Sequence, residues 1–175
     1  MDLGISGRTA IVCASSRGLG KGCAISLAQN GVNVVVNGRD QTVTNETAEE
    51  IRTKTNVEVI PVIADVSTPE GQKALLKACP KPDILVNNNG GPPFRDFRDV
   101  NRDNMIEGVT MNFFTPVELV QAVIDHMIQQ RFGRIVNITS VSVKRPVAGL
   151  DLSSGARAGL TAFLAGVART VAHHN

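Results

Sequence analysis

The sequence lacks tryptophan and tyrosine altogether, and its six phenylalanines are its only large aromatic residues. The chain therefore has no phenol group that could serve as an acid. No stretch approaches the roughly 18 consecutive apolar residues of a transmembrane helix. Residues 1–6 also lack the basic and apolar regions of a secretory signal. We therefore expect a cytoplasmic protein with no membrane partner.

Cysteine is scarce as well, since Cys13, Cys23 and Cys79 form neither a C-x-x-C motif nor a zinc-binding spacing. An odd number of cysteines argues against a disulfide framework, and three scattered histidines predict no metal site. The 18 Lys and Arg residues nearly balance the 16 Asp and Glu residues and form no basic stripe. Because nucleic-acid binding needs such a stripe, we expect no nucleic-acid partner.

What the sequence does contain is a regular alternation of strand and helix patterns. Strands are predicted at about 8–13, 32–37, 57–63, 83–87 and 135–138, and helices at about 19–30, 44–54, 67–78, 103–130 and 160–171. Pro61 removes a ladder donor from the third strand, so we expect that strand at the edge of the sheet. The alternation predicts a single α/β domain, residues 1–175, with a parallel sheet and helices on both faces.

Residues 13–20, Cys-Ala-Ser-Ser-Arg-Gly-Leu-Gly, lie between the first strand and the first helix. A turn of small residues that opens a helix leaves backbone N–H groups pointing outward, where they can hold a phosphate. Leu19, Cys23 and Leu27 form the apolar face of the helix that follows. The same turn is also consistent with a purely structural connection.

Four motifs resemble those of the short-chain dehydrogenase/reductase family in order and spacing: residues 13–20, 65–66, 87–90 and 133–140. The similarity covers essentially the whole chain, and 3-oxoacyl-acyl-carrier-protein reductase-like members are the most similar. It implies a Rossmann-like, doubly wound parallel sheet in three α/β/α layers. Family members continue with further strands, so the resemblance implies a truncated chain that lacks the C-terminal strands of the family.

The resemblance also implies a nicotinamide cofactor at the carboxyl ends of the strands. The residues carried over to this site are Ala14, Ser16, Arg17, Gly18, Leu19, Gly20, Arg39, Asp65, Val66, Asn88, Asn89 and Gly90. Cys13 and Ala14 replace the Thr-Gly of the family. We therefore expect residue 14 to avoid a positive φ, where a Cβ costs about 1–2 kcal/mol.

Two arginines bear on the choice of cofactor. Arg39 follows the second strand, which ends without a carboxylate, and Arg17 lies in the glycine turn. NAD binders usually hold the ribose with an acid at this strand end, whereas an arginine accommodates the 2′-phosphate of NADP. The pattern favours NADP(H) over NAD(H). Asp40 keeps NAD(H) open, and two solvated surface arginines are the simpler alternative.

The catalytic residues of the family are an Asn in the long helix, a Ser after the fifth strand and a Tyr-x-x-x-Lys pair on the last helix. The matching positions here are Asn112, Ser140, Ser153 and Arg157. A serine hydroxyl is a far weaker acid than a phenol, and an arginine is too basic to relay protons. The resemblance implies that Asn112 holds a relay water and Ser140 binds the substrate oxygen. It also implies that Ser153 replaces the acid and that Arg157 binds the ribose and polarises that oxygen.

Pro116 lies four residues after Asn112 and has no N–H that could bond to the Asn112 carbonyl. A carbonyl freed in this way can hold a water molecule for a proton relay. Alternatively, the proline only kinks a long helix to fit its neighbours.

Two functions remain open. The one we favour is an NADP(H)-dependent oxidoreductase that transfers a hydride between nicotinamide and a small-molecule carbonyl or secondary alcohol, with 3-oxoacyl thioesters as a candidate class. The alternative is a catalytically impaired nucleotide-binding protein that acts as a sensor or an oligomer partner. Because family members commonly form dimers and tetramers, we expect a homodimer or a homotetramer.

Overall fold

The computed structural model describes residues 2–175. Within them the strands are Thr9–Val12 (β1), Asn33–Gly38 (β2), Val59–Ile63 (β3), Ile84–Asn87 (β4) and Arg134–Asn137 (β5). The α-helices are Gly18–Gln29 (α1), Gln41–Lys54 (α2), Pro69–Ala78 (α3), Arg102–Val109 (α4), Thr115–Gln129 (α5) and Asp151–Val171 (α6). Each strand lies within one or two residues of its predicted position.

The strands form one parallel sheet in the order β3-β2-β1-β4-β5. Ile11 of β1 lies between Val35 of β2 and Leu85 of β4. β3 is an edge strand, which confirms the prediction from Pro61. Because the strand order reverses beside β1, the loops after β1 and β4 leave a crevice at the carboxyl end of the sheet.

Helices cover both faces of the sheet, as predicted. On one face the buried residues of α1 and α2 pack against the strands: Ala24, Ala28, Ala48 and Ile51. On the other face α3 and α5 contribute Leu75, Leu119, Val120, Val123 and Met127. The core therefore consists of two apolar layers, one on each side of the sheet.

The buried face of α1 differs from the predicted one. Gly20, Ala24 and Ala28 are buried, whereas Leu19 of the predicted apolar face is 71% exposed and the other two residues of that face are half-buried. Small residues are required because α1 lies very close to the turn after β1. A Cβ on Gly20 would lie 2.5 Å from the carbonyl oxygen of Ala14. Close approach, rather than hydrophobicity, determines which face of α1 is buried.

The helix predicted over 103–130 is interrupted by a π-helical turn, Thr110–Phe114, which joins α4 to α5. In that turn the N–H of Thr115 donates to the carbonyl of Thr110, five residues back. Pro116 follows at the start of α5, and its missing N–H prevents the regular i to i−4 ladder from continuing across Asn112. The disturbance that the proline predicts is therefore a local widening of the helix.

Thr68 caps the start of α3, where its hydroxyl accepts the N–H of Gly71 at 3.0 Å. Thr68 also donates its own proton to the carbonyl of Asp65 at 2.9 Å. This bond fixes the loop between β3 and α3, which borders the crevice.

Asp83 anchors the amino end of the sheet. Its carboxylate accepts the N–H of Thr9 at 2.8 Å, the hydroxyl of Thr9 at 3.2 Å and the guanidinium of Arg8 at 3.0 Å. Burial alone would raise the pKa of this carboxyl, but the hydrogen bonds together outweigh burial and lower the pKa below its ordinary value. The ionised carboxylate joins the residue before β4 to the start of β1.

We expect Asp83→Asn to lower the free energy of unfolding at pH 7 by about 1–3 kcal/mol, because a hydrogen-bonded charge is lost. The pKa of Asp83 is lower in the folded protein than in the unfolded chain. Its carboxylate therefore stabilises the fold above the ordinary aspartate pKa of about 4, and this stabilisation is lost as the pH falls through the pKa of the folded state. The difference between the two proteins should shrink below about pH 4, as measured by urea denaturation.

The matched control is Asp125→Asn, at an exposed carboxylate on α5, which should change stability by no more than about 0.5 kcal/mol. Equal losses in the two variants would contradict the anchoring role of Asp83.

Two glycines of α1, Gly20 and Gly22, differ in the space around them. A Cβ at Gly20 would meet backbone atoms of Ala14 and Ser15 at 2.5 and 2.9 Å, whereas a Cβ at Gly22 would meet nothing within 4 Å. Gly20→Ala should therefore destabilise the protein by about 1–3 kcal/mol through overpacking. Gly22→Ala should stabilise it by up to about 1 kcal/mol, because alanine is the better helix former. Thermal unfolding of both variants tests this, and a stable Gly20→Ala protein would refute the close packing.

Candidate functional site

A groove of about 920 Å³ lies at the carboxyl ends of β1 to β4. Every residue that the sequence assigns to cofactor binding lines it except Gly20, which lies beneath the turn. The groove also includes residues that the sequence analysis did not single out: Asn37, Gly38, Ala64, Ser67, Gly91, Pro93, Glu107 and Met111. Its size and position suit a nucleotide.

The start of α1 faces this groove without a side-chain cap. Among residues 2–175 no side chain accepts an N–H of its first turn. Asp40, Thr68 and Asn101 cap α2, α3 and α4, while α5 and α6 also lack such a cap. Gly18 adopts a φ of 60°, in the left-handed region that favours glycine. The free backbone N–H groups and the positive end of the helix dipole therefore point at the groove, which fits the pyrophosphate of a dinucleotide.

The expectation that Ala14 avoids a positive φ is wrong, because its φ is 43°. Two amide side chains hold it there. Oδ1 of Asn37 accepts the N–H of Ala14 at 3.0 Å, and Nδ2 of Asn88 donates to the Ala14 carbonyl at 3.0 Å. These two bonds offset a strain of about 1–2 kcal/mol. The turn keeps the shape that a glycine would adopt even though a Cβ is present.

Cys13, which precedes this turn, is completely buried. Burial raises the pKa of its thiol to about 12. The thiol therefore stays protonated near neutral pH and acts as a small apolar side chain at the end of β1.

The two arginines proposed to select the cofactor both border the groove. Arg39 lies 3.6 Å from a carboxylate oxygen of Asp65, and Arg17 lies 3.9 Å from one of Asp40. Both guanidiniums are largely exposed, and exposed pairs of this kind contribute about 1 kcal/mol or less. Either arginine can therefore exchange its carboxylate partner for a phosphate at little cost.

Asn89 connects two sides of the groove. Its Nδ2 donates to the hydroxyl of Ser67 at 2.8 Å and to the carbonyl of Met111 at 3.3 Å. These bonds join the loop after β4 to the loop after β3 and to the π-helical turn. The amide thereby places a polar wall beside the π-helical turn that carries Asn112.

Asn112 lies in the π-helical turn and is 3% exposed. Its Nδ2 donates to the carbonyl of Gly108 at 3.3 Å, but its Oδ1 has no partner within residues 2–175. Oδ1 of Asn87 and Oγ1 of Thr115 are also buried without a partner in that range. All three residues, together with Arg157, line one cavity of about 20 Å³. Three unpaired buried oxygens around a cavity of this size fit one buried water molecule.

Arg157 joins α6 to the end of β5. Its Nε donates to Oγ of Ser153 at 3.2 Å, and its Nη1 donates to the carbonyl of Ile138 at 2.7 Å. A Cβ built on Gly91 would lie 4.0 Å from Nη2, so this nitrogen lies at the rim of the groove. Burial lowers the pKa of the guanidinium, which nevertheless stays charged at neutral pH. The structure thus places a cation between Ser153 and the groove.

Ser140 is half-buried at the end of β5 and caps the short turn Val141–Val143. Its Oγ accepts the N–H of Ser142 at 3.1 Å and the hydroxyl of Ser142 at 2.9 Å. The sequence analysis did not identify Ser142, because its only signal is a polar residue two positions after a candidate one. Ser142 is nevertheless 1% exposed.

Glu107 is another residue that the sequence did not point to. It lines the groove and also a separate cavity of about 50 Å³ that includes Ser153 and Arg95. On the sequence it is an ordinary exposed residue of α4, which is why no pattern could identify it. Leu152 of α6 packs against Gly108 of α4, and this contact brings α4 and α6 together.

No group of three or more His, Cys, Asp and Glu side chains among residues 2–175 is arranged to hold a metal ion. Within the same range, no helix combines the length and the apolar character needed to cross a membrane.

Comparison with known proteins supports the family resemblance. Residues 8–175 match the profile of the family described as short chain dehydrogenase. The uncharacterized oxidoreductase YvaG of Bacillus subtilis (strain 168) is 35% identical over 147 residues, which are 83% of this chain and 56% of YvaG. The 3-oxoacyl-[acyl-carrier-protein] reductase FabG of Chlamydia pneumoniae is 31% identical, and the match covers 100% of this chain and 72% of FabG.

A solved structure agrees with this result. The L-sorbose reductase of Gluconobacter frateurii, complexed with NADPH and L-sorbose, has a TM-score of 0.95 at 27% identity, over 100% of this chain and 68% of that one. The chain spans only about half of the length of YvaG, 56%. Because the profile match leaves out only the first seven residues and the whole chain superposes on a member of known structure, the chain belongs to the short-chain dehydrogenase family.

Proposed function

We propose that the protein is an NADP(H)-dependent oxidoreductase that interconverts a small-molecule carbonyl compound and the corresponding secondary alcohol. The observation that carries this proposal is the pair formed by Arg157 and Ser153, in which Nε donates to Oγ at 3.2 Å beside the cofactor groove. The pair keeps a hydroxyl hydrogen and a positive charge at the position where the family has Tyr and Lys. FabG and the sorbose reductase, by their names, are reductases, which is consistent with this activity.

The groove would hold the cofactor through residues at both of its ends. The free N–H groups at the start of α1 would bind the pyrophosphate, and Arg17 and Arg39 would bind the 2′-phosphate. Asp65 and Val66 would contact the adenine. Bound NADP(H) would supply or accept the hydride at its nicotinamide ring.

Ser140 and Arg157 would donate hydrogen bonds to the substrate oxygen. Donors that are already in place when negative charge develops on that oxygen lower the barrier more than any other single factor in many enzymes. Nη1 and Nε of Arg157 are occupied by Ile138 and Ser153, so Nη2 is the nitrogen left for the ribose and the substrate.

Ser153 would give its proton to the same oxygen. Its Oγ accepts from Arg157, so its own hydrogen is left to donate, and the adjacent guanidinium stabilises the negative charge that remains on Oγ. The water beside Asn112 would then return a proton. The three unpaired oxygens of that cavity are what support a water there.

The substrate class that we propose includes 3-oxoacyl thioesters, since FabG is a 3-oxoacyl-[acyl-carrier-protein] reductase at 31% identity. We also propose a cytoplasmic homodimer or homotetramer. Phe114 and Phe163 are 48% and 44% exposed on neighbouring helical segments and are candidate contacts. Val117 and Val120 of α5 are buried within the chain and offer no such contact.

The activity can be tested by measuring NADPH oxidation with a panel of ketones, 3-oxoacyl thioesters and quinones. We expect turnover on at least one carbonyl substrate. Arg157→Ala should lower kcat by about 10²-fold and Ser153→Ala by about 10-fold or more, because each removes a donor to the developing charge. Arg169→Ala, at an exposed position further along α6, is the matched control and should leave kcat unchanged. Tight NADPH binding without turnover on any carbonyl would refute the proposal.

The cofactor preference can be tested separately by binding measurements. Arg39→Asp should weaken NADPH binding at least about 10-fold, because a charge-assisted bond to the 2′-phosphate becomes a repulsion, and should improve NADH binding. Arg102→Asp, exposed at the start of α4 and outside the groove, should change neither affinity. Unchanged NADPH affinity together with persistently weak NADH binding would show that the assignment is wrong.

A further inference from the structure

The surroundings of Ser140 carry one inference that goes beyond the proposed function. Ser142, two residues later, is 1% exposed, and both its N–H and its hydroxyl reach Oγ of Ser140, at 3.1 and 2.9 Å. Within residues 2–175 the Ser142 hydroxyl has no other hydrogen-bond partner. A buried hydroxyl with one partner costs free energy when that partner is lost, so this bond keeps the two hydroxyls paired.

The bonding capacity of a serine hydroxyl shows what this arrangement does to Ser140. Such an oxygen has two lone pairs and one hydrogen. The N–H of Ser142 occupies one lone pair of Ser140 Oγ, and when the Ser142 hydroxyl donates into the other, only the hydrogen of Ser140 is left to bond. A group in this state can donate but cannot accept. That is the behaviour required beside a carbonyl oxygen on which negative charge develops.

We propose that Ser142 is a positioning residue that holds the Ser140 hydroxyl as a donor toward the substrate oxygen. The inference rests on the proposed function, because it takes Ser140 to meet that oxygen. Ser142 touches neither substrate nor cofactor in this account and acts only through Ser140.

The backbone and the side chain of Ser142 have separable roles. The N–H of Ser142 caps the turn by donating to Ser140 Oγ, and this bond survives any substitution at residue 142 except proline. The hydroxyl adds the second donor. Ser142→Ala therefore removes the orienting bond and keeps the cap, while Ser142→Cys fills nearly the same space with a much weaker donor.

The test is steady-state kinetics of five variants of the full protein with a carbonyl substrate that the wild type reduces. We expect Ser142→Ala to lower kcat about 3- to 10-fold with KM within about twofold, because the bond acts on the developing charge rather than on substrate binding. Ser142→Cys should lower kcat to a similar extent. The control is Ser154→Ala on α6, which removes the 2.8 Å bond from the Ser154 hydroxyl to the Leu150 carbonyl and should leave kcat unchanged.

The decisive variant is the double substitution Ser140→Ala/Ser142→Ala. If Ser142 acts only through Ser140, the double variant should be no slower than Ser140→Ala alone. Additive losses would overturn the inference, and so would a wild-type kcat in Ser142→Cys, which would mean that the residue only fills space.

Amide hydrogen exchange tests the geometry around Ser142 without any enzymatic turnover. The amide hydrogen of Ser142 should exchange at least about 10-fold faster in Ser140→Ala than in the wild type, because its acceptor is gone. An unchanged exchange rate would overturn the inference while leaving the proposed function intact. A wild-type protein that binds NADPH but reduces no carbonyl would overturn both, so the two failures are distinguishable.

Discussion

The buried amide of Asn37 is the interaction on which the cofactor end of this structure depends. Its Oδ1 accepts the N–H of Ala14, and its Nδ2 donates to the carbonyls of Val62 and Ala64 at 3.1 and 3.0 Å. One side chain thus joins the turn after β1 to the end of β3 through β2. The backbone N–H of Asn37 also donates to Ser15 Oγ at 2.9 Å. In a buried setting these bonds reinforce one another, so the groove walls are held together by contacts within the chain itself.

The chemical end depends on a comparable connection, made by a charged side chain. Arg157 joins α6 to the end of β5 and holds the Ser153 hydroxyl, while Ser142 holds the Ser140 hydroxyl. The acid of the family is missing, but Ser153 Oγ accepts one bond from Arg157 and Ser140 Oγ is bonded twice by Ser142. In the proposed function, the hydrogens of both hydroxyls are left for the substrate oxygen. Pre-arranged donors can supply the electrostatic part of catalysis even where no strong acid is present.

The fold could be predicted closely from local patterns. The alternation of apolar strands and amphipathic helices indicated a parallel α/β sheet, and Pro61 placed β3 at an edge, since both depend on short-range backbone chemistry. The buried stripe of α1 was not predictable in the same way. Leu19 is the more hydrophobic residue but is exposed, because the helix lies too close to Ala14 for any but a small side chain. Distances between elements decided that, and a sequence pattern does not contain them.

The features of the candidate site also fall into those that the sequence predicts and those that packing decides. The motifs by themselves determined which turn opens toward the groove, where the strands end and that no tyrosine can act, because these follow from residue types and spacing. Only the tertiary structure decided that Ala14 adopts a positive φ, that Asn112, Asn87 and Thr115 share one cavity, and that Ser142 lies against Ser140. The physical reason is that hydrogen bonds depend on the orientation of groups from different elements, which exists only once those elements have packed.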